Sequence, residues 1–135
     1  MICLDTNVVI GTITGRVPGF RVRLNEFLGR RARVTMPVIA LYEMRYGNAK
    51  SDRRNESERL LDMFLATGVD VLPFEEEDAR HAGEIRAHLE RLGEPIGHYD
   101  YLIAAQARCR NATLVTANSR EFLRVPGLVV TDWTA

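Results

Sequence analysis

The sequence predicts an α/β sandwich, with helices layered on a central mostly parallel sheet of four or five short strands. Three observations carry this expectation. Apolar runs of three to five residues alternate with amphipathic stretches of helical period, turn and cap residues separate them, and no repeat or linker breaks the alternation. At 135 residues the chain is expected to form a single domain over residues 1–135.

The first run, Met1-Ile2-Cys3-Leu4, reads as a buried strand, and Asp5-Thr6-Asn7 supplies cap residues for a helix through Val8 to Ile13. Pro18 opens a second helix with Phe20, Leu24, Phe27 and Leu28 on one face. Arg33 to Met36 is a second strand. Pro37 is expected at the first helical position of a helix from Val38 to Tyr46 that Gly47 stops. After a polar stretch from Asn48 to Asn55, a helix carries Leu60, Leu61, Phe64 and Leu65 and ends at Gly68 before the strand Val69 to Leu72. Glu75, Glu76, Glu77 and Asp78 then fall in the first turn of a helix to Leu92, where the helix dipole favours acids. Gly93, Pro95 and Gly97 make a loop, and His98-Tyr99-Asp100 opens an apolar helix from Tyr101 to Cys109. Ala112 to Thr116 is a fourth strand, Ser119 to Leu123 a short helix and Leu128 to Val130 an edge strand.

Composition excludes several classes. With 46% hydrophobic and 27% charged residues the chain is an ordinary globular one, neither disordered nor collagen-like. No apolar run approaches the roughly 20 residues that span a bilayer. The opening MICLDTNVVI has no basic residue ahead of its apolar stretch, so a cytoplasmic location is expected. Cys3 and Cys109 sit in apolar surroundings without CxxC spacing, which favours buried thiols over a disulfide or zinc site.

The zero net charge conceals two asymmetries. Only Lys50 is lysine among the 18 basic residues, leaving 17 arginines, the side chain best shaped to grip phosphate, unless a coding bias accounts for them. Residues 1–59 carry a net charge of +5 and residues 60–135 a net charge of −5. The arginines between residues 16 and 33 and between 45 and 59 are therefore either a surface able to grip nucleic acid or a solvated basic helix face.

Familiar motifs are missing. Neither GxGxxG nor GxxxxGK occurs, and Ser51, Ser57 and Ser119 lie outside any GxSxG elbow. His81 and His88, with Glu84 between them on one helical face, could chelate a metal, but so polar a helix more often marks a solvated face. There remain acids in places where acids are costly. Asp5 follows a central strand, Glu43 interrupts Val38-Ile39-Ala40-Leu41-Tyr42, and Asp100 sits among Tyr99, Tyr101, Leu102 and Ile103. Each also has a structural reading: Asp5 as a helix cap, Asp100 as a first-turn acid, Glu43 as an exposed position beside Arg45. In open α/β sheets, however, ligands collect at the carboxyl ends of strands. That edge would hold Asp5 and Thr116-Ala117-Asn118, with Glu43 and Asp100 reaching it from neighbouring helices. Carboxylates converging without a cation among them call for a divalent metal, and an all-oxygen set suits Mg²⁺ or Mn²⁺. The matching substrate is a phosphodiester.

Four ordered blocks, LDTNVVI, PVIALYEMRYG, IGHYDYLIAAQA and LVTANSREFLRVPGLVVTDW, cover the chain from end to end, and it resembles the VapC toxins, PIN-domain ribonucleases of bacterial type II toxin-antitoxin modules. The resemblance implies an Mg²⁺- or Mn²⁺-dependent endoribonuclease acting on RNA, held inactive by a VapB-type antitoxin and commonly dimeric. By matched position, Asp5, Glu43 and Asp100 are its acidic residues and metal ligands, Thr6 and Asn7 complete the DTN start, and Thr116 is a hydroxyl that helps hold the site. Many PIN domains place a fourth aspartate where this chain has Asn118, so the fourth acid is either absent or supplied by Glu121, one helical turn on. Two other readings remain at this stage: a degenerate PIN domain that only binds RNA or protein, and a phosphatase with Asp5 as nucleophile. The second needs an aspartate two residues after Asp5, where the chain has Asn7.

Overall fold

β1 (Ile2–Leu4) is central because it is apolar throughout: all three residues are buried, as expected of a parallel strand covered on both faces. It pairs with β2 (Val34–Pro37) and β4 (Thr113–Thr116), and β3 (Asp70–Leu72) and β5 (Val129–Asp132) complete a five-stranded sheet in the order β3-β2-β1-β4-β5. Every pairing is parallel. The computed structural model describes residues 1–134, and Ala135, the last residue of the expected domain, lies outside the described residues.

The helices are α1 (Thr6–Thr14), α2 (Pro18–Gly29), α3 (Val38–Ala49), α4 (Arg54–Leu65), α5 (Glu76–Arg91), α6 (His98–Cys109) and the single turn α7 (Ser119–Phe122). Their order among the strands is the expected one. Leu4, Val8, Met36, Ile103, Leu114 and Phe122 are fully buried between sheet and helices. Each such side chain contributes about 1.5–3 kcal/mol by leaving water.

Three local expectations are corrected. Pro37 is the last residue of β2 and the cap of α3, in extended backbone at φ −67° and ψ 142°, rather than the first helical residue. Its ring tolerates either place, and the ladder to Leu72 in β3 holds it in the strand. Gly47 does not stop α3, which runs to Ala49. Glycine ends a helix only where the backbone turns left-handed, as at Gly15 with φ 68° after α1, and Gly47 has no such φ. Cys109 is half-buried, whereas Cys3 is fully buried and its thiol is pushed up to about 12 by burial.

α5 and α6 pack antiparallel, and this pairing sets where α6 begins. Asp78, near the start of α5, receives a 2.7 Å hydrogen bond from Arg110 Nη1 just after α6. Farther along, Arg86 lies 5.9 Å from the Tyr101 ring, near the start of α6. The acid run at residues 75–78 does cap its helix, with the Asp78 carboxylate accepting from the Glu75 amide at 2.8 Å. His81 is committed to packing: its Nδ1 accepts from Arg108 Nε at 2.9 Å, while Glu84 accepts from Arg80 and Arg108.

Candidate active site

Asp5 sits where β1 meets α1, with only 4% of its surface exposed. Its capping role and its place in a cluster are both real. Oδ1 accepts from the Thr6 amide at 2.7 Å, and Oδ2 accepts from the Thr116 hydroxyl at 2.9 Å. Thr116 ends β4 beside β1, so strand pairing delivers that hydroxyl, which in turn accepts from the Asn118 amide at 2.8 Å. Each carboxylate oxygen of Asp5 keeps lone-pair capacity beyond these bonds.

Glu43 reaches the same edge from the second turn of α3, and the Thr6 hydroxyl donates to its Oε1 at 2.9 Å. Arg45 does not neutralise it, being engaged with Glu58 and with Asp62. Asn118 donates from Nδ2 to Glu121 Oε2 at 3.2 Å, holding that carboxylate toward Asp100. Glu121 hydrogen-bonds Asp100, and Asp5 and Glu43 repel Asp100 through space. Six of the eight residues singled out in the sequence thus make one chain of contacts: Asp5, Thr6, Glu43, Thr116, Asn118 and Glu121. Asp100 joins it through Glu121. Asn7 does not; it lies exposed on the first turn of α1.

The electrostatics follow from this crowding. Burial raises the Asp5 carboxyl above its ordinary value, opposed by the bonds from Thr116 and Thr6 and reinforced by Glu43 and Glu121. Asp100 is raised to about 7, first by burial and then by Asp5 and Glu121. A carboxyl raised in the folded state stabilises the fold below its unfolded value near 3.8, and that contribution is lost as pH rises through the folded value. The metal-free protein is therefore expected to melt at a lower temperature at pH 8 than at pH 5.5 through this group, and a divalent cation should narrow or remove the difference. A scan of melting temperature against pH, with and without MgCl₂, checks it.

Gly97 belongs to the site although sequence reading placed it only in a loop. A Cβ there would lie 2.9 Å from Asp100 Oδ2, so the hydrogen side chain leaves room for the carboxylate. The signal lay in its position three residues before Asp100, at the cap of α6. Gly97→Ala is expected to weaken metal affinity roughly ten- to a hundredfold, the usual scale for residues that orient a metal ligand, which calorimetry with Mn²⁺ would measure.

Part of the arginine-rich first half is engaged in contacts within the chain. Arg33 precedes β2 at the opposite edge of the sheet and pairs with Asp70 at 3.5 Å. Arg21 is spent on the Thr12 and Ile13 carbonyls. The charge asymmetry along the sequence is thus partly consumed by internal contacts.

Comparison with known proteins agrees with the fold. A family model described as PIN domain matches residues 2–128. The chain is 38% identical over 131 residues to the tRNA(fMet)-specific endonuclease VapC of Shigella flexneri, covering 97% of this chain and 96% of the relative. It is 35% identical over 130 residues to ribonuclease VapC2 of Rickettsia felis, covering 96% of each. Among solved structures, VapBC2 from Rickettsia felis bound to a promoter DNA fragment superposes with a TM-score of 0.91 at 34% identity, over 98% of this chain and 99% of that one. DNA-bound VapBC from Salmonella typhimurium gives 0.90 at 37% identity, over 98% and 99% of the two chains. The matched PIN domain, the near full-length identity to VapC proteins and the shared parallel sheet place this chain in the VapC family of PIN-domain ribonucleases.

Proposed function

We propose that the chain is the toxin of a type II toxin-antitoxin module, an endoribonuclease that hydrolyses RNA with Mg²⁺ or Mn²⁺ held by Asp5, Asp100 and Glu43. The observation that carries this is the convergence of Asp5, Glu43, Asp100 and Glu121 at the carboxyl edge of the sheet, where Asp5 and Asp100 are raised by burial and by their acidic neighbours. Such a set fits a divalent metal. Its donors are all oxygens, hydroxyl and amide groups hold them in place, and Gly97 leaves space at Asp100. Among the described residues no three acidic, histidine or cysteine side chains stand close enough to hold a metal ion together, so Asp5, Asp100 and Glu43 would have to draw closer for all three to hold one. Bound there, the metal supplies Lewis acidity and an activated water for in-line attack on phosphorus.

The chain's own residues do the rest. Thr116 and the Thr6 amide aim the two oxygens of Asp5, the Thr6 hydroxyl aims Glu43, and Asn118 aims Glu121. Glu121 thereby takes the place of the fourth aspartate seen in many PIN domains, as an outer ligand that also holds Asp100. In the metal-free protein Asp100 is raised to about 7, first by burial and then by the neighbouring carboxylates, which favours its neutral form.

A VapB-type antitoxin is the proposed regulator, in the cytoplasm. Among the described residues no helix is long and apolar enough to cross a membrane. Two adjoining hollows of about 260 and 120 Å³ share Ile13 and Leu60, and Ile10 and Met63 stand exposed beside them. This apolar groove suits an antitoxin segment, which could present a basic side chain to the acid cluster.

The name of the Shigella flexneri relative makes initiator tRNA the first substrate to try. Purified protein should cut it in MgCl₂ and leave it whole in EDTA, and an added VapB-type antitoxin should stop the reaction. Failure to cut any RNA of a total cellular extract in Mg²⁺ or Mn²⁺ would overturn the assignment.

A further inference from the structure

Three tyrosines stand exposed at the mouth of the acid cluster: Tyr42, Tyr46 and Tyr99, with 50%, 57% and 43% of their surface open to solvent. Their placement follows from the sequence. Tyr42 and Tyr46 are one helical turn apart on α3 and share a face. Tyr42 precedes Glu43 and Tyr99 precedes Asp100, so two of the clustered acids each have a tyrosine beside them. The rings of Tyr42 and Tyr99 meet edge to face, with centroids 5.5 Å apart at 62°, and their hydroxyls lie 3.3 Å from one another. Together with Glu43, the three rings line a hollow of about 420 Å³, within the size range of ligand pockets.

Unlike the aliphatic groove beside α1 and α4, this hollow is aromatic and shares Glu43 with the acid cluster. Its occupant therefore lies against the group assigned to the reacting phosphate. A phosphate would be repelled by the Glu43 carboxylate lining it, whereas an uncharged base is not, and aromatic rings hold bases by stacking with little regard to their identity. Tyrosine adds a hydroxyl that can bond a base edge. Lys50, the only lysine in the chain, holds its Nζ 4.6 Å from the Tyr46 ring, which puts a cation at the outer end of the hollow. There it can meet the phosphate of a flanking nucleotide.

From this arrangement we infer that Tyr42, Tyr46 and Tyr99 form a nucleobase-stacking subsite that seats the nucleotide next to the cleaved bond, with Lys50 on its outer phosphate. The inference rests on the ribonuclease reading above and deepens it. The rings act on binding and placement of the substrate, so they are specificity determinants rather than groups that carry the reaction.

The test pairs ring removal with base removal. An oligoribonucleotide cut by the wild type is compared with the same strand carrying an abasic nucleotide on one side or the other of the cleaved bond. In the wild type, one of the two abasic positions should lower kcat/KM by about 5- to 100-fold, the scale of one stacked base. In Tyr42→Ala and Tyr99→Ala the intact strand should fall by a similar factor and the abasic change should cost little more, while Tyr42→Phe and Tyr99→Phe retain the base dependence. Light scattering on each variant reports its oligomeric state. If the alanine variants lose activity equally on intact and abasic strands, or become monomeric while the wild type is a dimer, the face is a contact between copies and the subsite is overturned. If alanine variants cut as well as the wild type, the subsite fails and the ribonuclease reading stands. A wild type that cuts no RNA fails both.

Discussion

Asp100→Asn is expected to abolish RNA cleavage while raising the melting temperature of the metal-free protein at pH 8. The activity should fall roughly 10³-fold or more, as when one member of a set that acts together is removed. Stability should move the other way for a local reason. Above about pH 7 the Asp100 carboxyl is ionised beside Asp5, Glu43 and Glu121, and asparagine removes that charge while still offering an N–H to Glu121. At pH 5 the wild type already carries a proton there, so the gain should shrink, and thermal melts at the two pH values would show it. Asp5→Asn should be equally inactive but less stabilised. Asp5 accepts on both oxygens, from Thr116 and from the Thr6 amide, and the amide that replaces it can accept on only one side.

The largest purely structural effect is expected at Arg110. Its guanidinium makes two bonds to Asp78, at 2.7 and 3.1 Å, and also donates to the Gln106 and Pro73 carbonyls. Asp78 is only 1% exposed. Removing one partner of a buried pair leaves the other uncompensated, so Arg110→Ala should cost about 3–5 kcal/mol of unfolding free energy. Urea melts would measure this, and adding Asp78→Asn to the same chain should recover part of the loss. An equal or greater loss in the double variant would show that the carbonyl contacts, and not the ion pair, matter most.

The sequence carried the order of elements because its punctuation is local. Pro18, Gly68, Gly93 and the cap residues at Asp5 and Glu75 each mark a boundary through backbone geometry that short stretches determine. Of the errors, Pro37 falls where tertiary contact decides, being held in the ladder of β2, while Gly47 simply keeps a helical backbone and so does not end α3. Asp5, Glu43 and Asp100 were legible as acids in apolar surroundings. How Glu121 enters the cluster was open in the sequence, and the Asn118 amide that holds it resolves the arrangement. The meeting of Tyr42 with Tyr99 was not legible, since it depends on α3 and α6 converging, whereas Gly97 is a local contact with Asp100 that its spacing could have flagged. A charge count also cannot see which basic residues are engaged within the chain: Arg21 bonds the Thr12 carbonyl, Arg33 pairs with Asp70 and Arg45 with Asp62.

The central claim is that the carboxylate cluster is a metal centre that cuts RNA. Calorimetric titration of Mn²⁺ into the wild type and into the Asp5→Asn, Asp100→Asn double variant, run beside RNA cleavage on the same samples, tests it most directly. The account predicts saturable binding and metal-dependent cleavage in the wild type, and neither in the double variant. Equal Mn²⁺ binding by both proteins, or cleavage that persists in the double variant or in EDTA, would contradict it.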